Sequence, residues 1–201
     1  MKAVASTVFM VAVLFVAIPG GAAQSVAPPP GVAVCASCHG AHGEGSTTGA
    51  PRLAGQNAQY MSHALSMFKA GSRASPIMQP IAQGLTDADM DVLTRYFSNQ
   101  TPPLADTGST VSSALTLAGK QLAETGPAAC FSCHGAGGKG NGTRYPSIAG
   151  QPAQFITDRI HEFQQRARQK TPQPGTMTAV STTLSEDQIK ASAAYLSRLP
   201  R

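Results

Sequence analysis

The chain has 201 residues, 12% charged and 5% aromatic, with no Trp and a formal net charge of +5. Gly follows no period of three, no long Glu/Lys/Leu-rich run exists and a single extended apolar run is present, so collagen, a coiled coil and a multi-span membrane protein are excluded. The length fits one large domain or two of about ninety residues, and a unit of that size with so few aromatics needs something other than side chains to complete its core.

In chain order, Lys2 precedes an apolar stretch from Val8 to Ile18, which Pro19-Gly20 breaks before the small residues Gly21-Ala22-Ala23. That order reads as a signal peptide over residues 1–23, with a mature chain starting near Gln24. The apolar core is short for a bilayer, which needs about 20 residues; the alternative is an uncleaved anchor starting at Ala3. Either reading exports the chain, in a bacterium to the periplasm. Ala27-Pro28-Pro29-Pro30-Gly31 follows, and three prolines do not fit a helix interior, so the first unit has a truncated or missing N-terminal helix. Met61, Ala64, Leu65 and Phe68 share one helix face, with Gly71 as a stop. Met78 falls in an expected loop between Pro76 and Pro80. Thr86-Asp87-Ala88-Asp89 resembles a capping box opening a helix that carries Met90, Leu93 and Phe97. Ser98 to Thr110 is polar with a Pro pair, as a linker should be. Ala114 to Glu124 reads as a helix. Ile156, Ile160 and Phe163 share a second face, Met177 follows Pro172 and Pro174, and Ser185-Glu186-Asp187-Gln188 opens a last helix with Ile189 and Leu196. No alternating strand pattern stands out, so the fold class is all-α. The expected division is a first domain over 24–100, a linker over 101–112 and a second domain over 113–201.

Export permits disulfides, but the four cysteines are not spaced for two of them. They fall as Cys35-Ala36-Ser37-Cys38-His39 and Cys130-Phe131-Ser132-Cys133-His134, each followed by Gly. Cys-x-x-Cys-His is the attachment pattern of a c-type haem. Two thiols one helical turn apart can each form a thioether with a haem vinyl group, and the next His then lies under the iron. A thioredoxin-like pair would need a strand-helix-strand setting, and a four-Cys zinc site has no use for a His after each pair.

The chain matches itself at a shift of 95. Cys35 falls on Cys130, His39 on His134, and Pro51-Arg52-Leu53-Ala54-Gly55-Gln56 on Pro146-Ser147-Ile148-Ala149-Gly150-Gln151. After a four-residue insertion the shift becomes 99, and Met78 falls on Met177 and Tyr96 on Tyr195. The repeat implies two homologous domains with one covalent haem c each. It also tests the second axial ligand, which should occur in both copies. His42, His63 and His161 have no His counterpart. Met61, Met67 and Met90 align with Ile156, Glu162 and Ile189. Met78 and Met177 pair with each other, so they are the expected second ligands; the alternative is Met as a gap-filler. A thioether ligand favours ferrous iron and closes the coordination sphere, which suits electron carriage rather than chemistry on a substrate.

On these residues the chain resembles a dihaem class I cytochrome c, of the cytochrome c4 family, over nearly all of the mature length. The resemblance implies two tandem class I cytochrome c domains, each wrapped around one haem, and haems that approach across the domain interface. In that class a Pro twelve residues after the haem His lends its carbonyl to the imidazole, and Pro51 and Pro146 stand at that spacing. The missing first helix departs from the class pattern, in which N- and C-terminal helices cross. Gly119 has no Gly counterpart at Gln24.

From Gln24 to Asp106 there are four basic and five acidic residues; from Thr107 onward there are ten and five. Arg166, Arg168 and Lys170 form the densest basic cluster, a candidate for docking on an acidic surface. The export signal and the lack of any matching motif argue against nucleic acid. The function expected is a periplasmic carrier of single electrons, not an enzyme. Its expected partners are a quinol-oxidising bc-type complex or periplasmic dehydrogenase on one side and a terminal oxidase or reductase on the other, with peripheral membrane association as an option. The competing readings are a dihaem peroxidase and a haem subunit fixed in a larger complex. Arg52, Arg73 and Arg144 are candidates for the haem propionates.

Overall fold

The computed structural model describes residues 27–46, 48–101, 111–126, 129–169 and 175–200. The expected leader (1–23) and most of the expected linker lie outside them. The helices are α1 (Val32–His39), α2 (Ala58–Lys69), α3 (Met78–Gln83), α4 (Asp87–Ser98), α5 (Ser113–Thr125), α6 (Cys130–His134), α7 (Ala153–Arg168), α8 (Thr176–Ser181) and α9 (Glu186–Leu196), with a 3₁₀ turn over Ala136–Gly138. Among the described residues the one β-type pairing is an isolated bridge between Asn141 and Tyr145. The all-α expectation is met.

The helix starts follow local chemistry. Thr86 and Ser185 both close capping boxes: each hydroxyl accepts from the backbone N–H three residues on, and Asp89 and Gln188 reach back to the cap amide. Asn57 caps α2 by accepting from the Tyr60 N–H. The faces read from periodicity are the buried ones. Met61, Ala64 and Phe68 are buried on α2, and Met90, Leu93 and Phe97 on α4. Phe97 is 2% exposed and Ile189 1%, and each such burial stabilises by about 1.5–3 kcal/mol.

α2 packs on α3 and α4; α7 packs on α8 and α9; α5 crosses α9. At that crossing Gly119 is required, because a Cβ there would sit 2.0 Å from the Ala191 carbonyl oxygen. The first unit has no matching helix among residues 27–31; its α1 begins at Val32 behind Gly31. The four-residue insertion lengthens α7 to 16 residues against the 12 of α2. The extra turn carries Arg166, whose Nη2 donates to the Ser72 carbonyl at 2.9 Å. Arg166 is therefore engaged within the molecule, and being half-buried it still presents its charge at the surface.

The loops after each Cys-x-x-Cys-His repeat one another bond for bond. The Gly45 N–H donates to the His39 carbonyl and the Gly140 N–H to the His134 carbonyl, both at 2.7 Å. The Gly43 carbonyl accepts from Leu53 and Ala54, and the Gly138 carbonyl from Ile148 and Ala149. The Gly55 N–H donates to the Phe97 carbonyl and the Gly150 N–H to the Leu196 carbonyl, both at 2.9 Å. Each motif loop is thus tied to the closing helix of its own unit.

Candidate haem sites

Each Cys pair occupies one turn of a short helix that ends at the motif His. Cys35 and Cys38 lie on α1 and Cys130 and Cys133 on α6. None of the four is paired in a disulfide, and Cys35 and Cys130 pack against the apolar cluster of their unit. Burial raises the pKa of both thiols. A redox-active dithiol needs the opposite shift, so the structure gives no support to thioredoxin-like chemistry. Among the described residues no three His, Cys, Asp or Glu side chains group as a metal site.

His39 is 7% exposed and His134 6%. The His39 Nδ1 lies 2.8 Å from the Pro51 carbonyl oxygen and the His134 Nδ1 2.7 Å from that of Pro146. A carbonyl can only accept, so Nδ1 carries the proton and the Nε2 lone pair is free. Burial lowers both imidazole pKa values, against the carbonyl bonds, which raise them. A neutral ring with a fixed Nδ1–H and an available Nε2 is the ligand form. The apolar clusters beside the motifs are small: Val32, Met61, Leu93 and Phe97 in one, and Ala123, Ile156, Ile160, Ile189, Ala193 and Leu196 in the other. Thiols on one turn, a ligand-ready imidazole and an undersized core fit a covalently attached porphyrin in each unit.

Met78 and Met177 are not in loops. Met78 opens α3 and Met177 is the second residue of α8. The prolines mislead here, because Pro80 occupies the first turn of α3, where a missing N–H costs nothing. Pro172 and Pro174 lie outside the described residues. Both Met residues are half-buried, and neither joins the apolar cluster of its unit, whereas Met61 does. The remaining histidines are placed elsewhere: His42 and His63 are exposed, and the His161 Nε2 lies 2.9 Å from the Glu186 carboxylate. Of the arginines considered for propionates, the Arg73 guanidinium is buried over the Phe68 ring, Arg52 is buried at the boundary between the units, and Arg144 is exposed beside Tyr145.

Sequence reasoning missed the role of the two glutamines that end the repeated Pro-to-Gln runs. The Gln56 Nε2 donates to the Ser147 carbonyl at 2.9 Å, and its Oε1 accepts from the Ser147 N–H at 2.9 Å. The Gln151 Oε1 accepts from the Arg52 N–H at 2.9 Å, and its Nε2 donates to the Arg52 carbonyl at 3.0 Å. Gln56 is 4% exposed and Gln151 3%. Their recurrence at a shift of 95 was the available signal; their partners lie in the opposite unit, which no local pattern reveals.

The family model for cytochrome c matches residues 32–101 and 117–200. A thiosulfate dehydrogenase electron acceptor of Stutzerimonas stutzeri is 35% identical over 177 residues, covering 85% of this chain and 81% of that protein. The crystal structure of reduced cytochrome c4 from Pseudomonas stutzeri superposes with a TM-score of 0.73 at 30% identity, covering 84% of this chain and 94% of that one. The thiosulfate dehydrogenase TsdBA from Marichromatium purpuratum superposes with a TM-score of 0.73 at 35% identity over 83% of this chain, which spans 36% of that longer chain. The two matched units, the paired motifs and these relatives place the chain in the cytochrome c family, as a dihaem electron carrier of the cytochrome c4 type with two covalently bound haem c groups.

Proposed function

We propose that this protein is a periplasmic carrier that passes single electrons between a respiratory or sulfur-oxidising donor and a terminal oxidase or reductase, and is not itself an enzyme. In this reading residues 24–100 and 113–201 are the two domains, with 101–112 joining them. Cys35 and Cys38 tether one haem, and Cys130 and Cys133 the other. His39 and Met78 would hold the iron of the first haem, and His134 and Met177 that of the second. The haem iron supplies the one-electron chemistry. Pro51 and Pro146 hold the Nδ1 protons and so orient the rings. The buried, neutral imidazoles keep Nε2 available at any pH near neutrality. With Met78 and Met177 holding the iron beside the histidines, no position would be left for peroxide, which sets this reading above the peroxidase.

The observation that carries the reading is the doubled His–Pro carbonyl bond, at 2.8 and 2.7 Å. Among donors, the acceptor of Stutzerimonas stutzeri favours a periplasmic dehydrogenase that oxidises thiosulfate. No described helix is long and apolar enough to cross a membrane. The match to part of a longer dehydrogenase chain favours one second reading, a haem unit held permanently on its enzyme. A redox titration of the purified holoprotein with optical and paramagnetic spectra is the test. Two low-spin centres with a thioether charge-transfer band are expected, and Met78→Ala or Met177→Ala should each abolish about half of that band. High-spin iron that takes up peroxide at rest would refute the proposal. Size exclusion of native extract separates the free carrier from the fixed subunit.

A further inference from the structure

Each buried glutamine bonds to the residue that directly follows the proline holding the other unit's histidine. Gln56 takes both backbone groups of Ser147, and the Pro146 carbonyl next to it holds the His134 Nδ1. Gln151 takes both backbone groups of Arg52, and the Pro51 carbonyl next to it holds the His39 Nδ1. A carboxamide that both donates to and accepts from one residue fixes that residue in position and in rotation. The bonds are buried, where water does not substitute for a lost partner.

We propose that Gln56 and Gln151 are positioning residues for the axial imidazoles, each fixing the histidine-holding peptide of the opposite domain across the boundary. The domain contact is thereby part of the haem environment: closing it sets the carbonyl against which each imidazole ring is aligned. Loss of one clamp frees the Pro–Ser or Pro–Arg peptide to turn. The Nδ1–H···O bond then lengthens and the imidazole becomes a weaker donor at Nε2. A weaker donor stabilises ferric iron less, so the reduction potential rises. The effect is crossed. Gln56 acts on His134 and Gln151 on His39, whereas a merely structural glutamine would disturb its own domain first.

The inference rests on His39 and His134 being the axial ligands, and the wild-type holoprotein tests that part separately: two imidazole Nδ1–H signals of low-spin, reduced haems must be present before any variant is compared. The experiment uses 15N-histidine-labelled holoprotein with two haems per chain. The His134 signal is recognised by its contacts to Tyr145, whose ring centroid lies 6.0 Å away. In Gln56→Ala, deuterium exchange at the His134 Nδ1–H should be about tenfold faster, the ratio for a difference of about 1.4 kcal/mol. The potential of the second haem should rise, with the first changed less. Gln151→Ala should give the mirror pattern. Should an alanine variant lose haem, Gln56→Met and Gln151→Met keep the volume without the bonds. A change confined to the glutamine's own domain, an equal change at both haems, or none at either would overturn the proposal.

Discussion

Gly119 offers a test in which local propensity and tertiary packing predict opposite signs. It lies inside α5, where replacing Gly by Ala ordinarily stabilises by about 1 kcal/mol. The structure predicts a loss. A Cβ at this position would lie 2.0 Å from the Ala191 oxygen, 2.7 Å from the Ala191 carbonyl carbon and 2.8 Å from the Tyr195 Cβ. A C···O contact relaxes only near about 3.3 Å, so α5 and α9 must part by about 1.3 Å at the crossing. A gap of that size removes a large part of the dispersion contact along the seam, where Ala123, Ile189 and Ala193 are buried. Overpacking of this kind costs about 1–3 kcal/mol, and the lost seam contacts add to it, so the net expectation for Gly119→Ala is about 2 kcal/mol of destabilisation or more. The assay is guanidinium unfolding of the full-length holoprotein, followed by far-UV dichroism and haem absorbance. Ala118→Gly, on the exposed side of α5, is the control and should lose about 1 kcal/mol by propensity alone. A Gly119→Ala protein that unfolds at the wild-type midpoint or above would refute the crossing geometry.

Three further outcomes follow from single sites. Gly43→Ala places a Cβ 2.7 Å from the Phe97 ring at a φ of +75°, and should cost about 2 kcal/mol or more by combined strain and clash, read as a lower unfolding midpoint of the first unit. Ser185→Ala removes the hydroxyl that accepts from the Gln188 N–H and should cost about 1 kcal/mol in the same assay. The hydrogen bond from His161 holds the exposed Glu186 carboxyl below its ordinary 4.5. A depressed carboxyl contributes stability above its unfolded pKa and loses it as the pH falls through the folded value. His161→Ala should therefore flatten the acid limb of the stability profile below about pH 4.5, and an unchanged limb would sever that pairing.

What was legible in the sequence was local or repeated. The Cys-x-x-Cys-His spacing specifies a haem because the thiols and the imidazole lie within one helical turn of each other. The capping boxes at Thr86 and Ser185 were readable because cap and partner stand three residues apart. The internal shift paired Met78 with Met177 and set His42, His63 and His161 aside without any coordinates. The sequence misplaced the two Met residues in loops, because nearby prolines read as helix breakers although a first helical turn accepts one. It did not show that Arg166 also bonds the Ser72 carbonyl, because a charge on a helix says nothing of what the helix faces.

The tertiary structure alone decided how the two units are joined. Gln56 and Ser147 stand 91 residues apart and Arg52 and Gln151 stand 99 apart, so no window of sequence contains either pair. Their meeting depends on the return of the second unit onto the first, a matter of chain path rather than residue pattern. The close approach at Gly119 belongs to the same class, since only the crossing of α5 over α9 puts the Ala191 carbonyl where a side chain would go. Chemistry written within one turn is carried by the sequence itself; contacts between distant segments exist only once burial has brought those segments together.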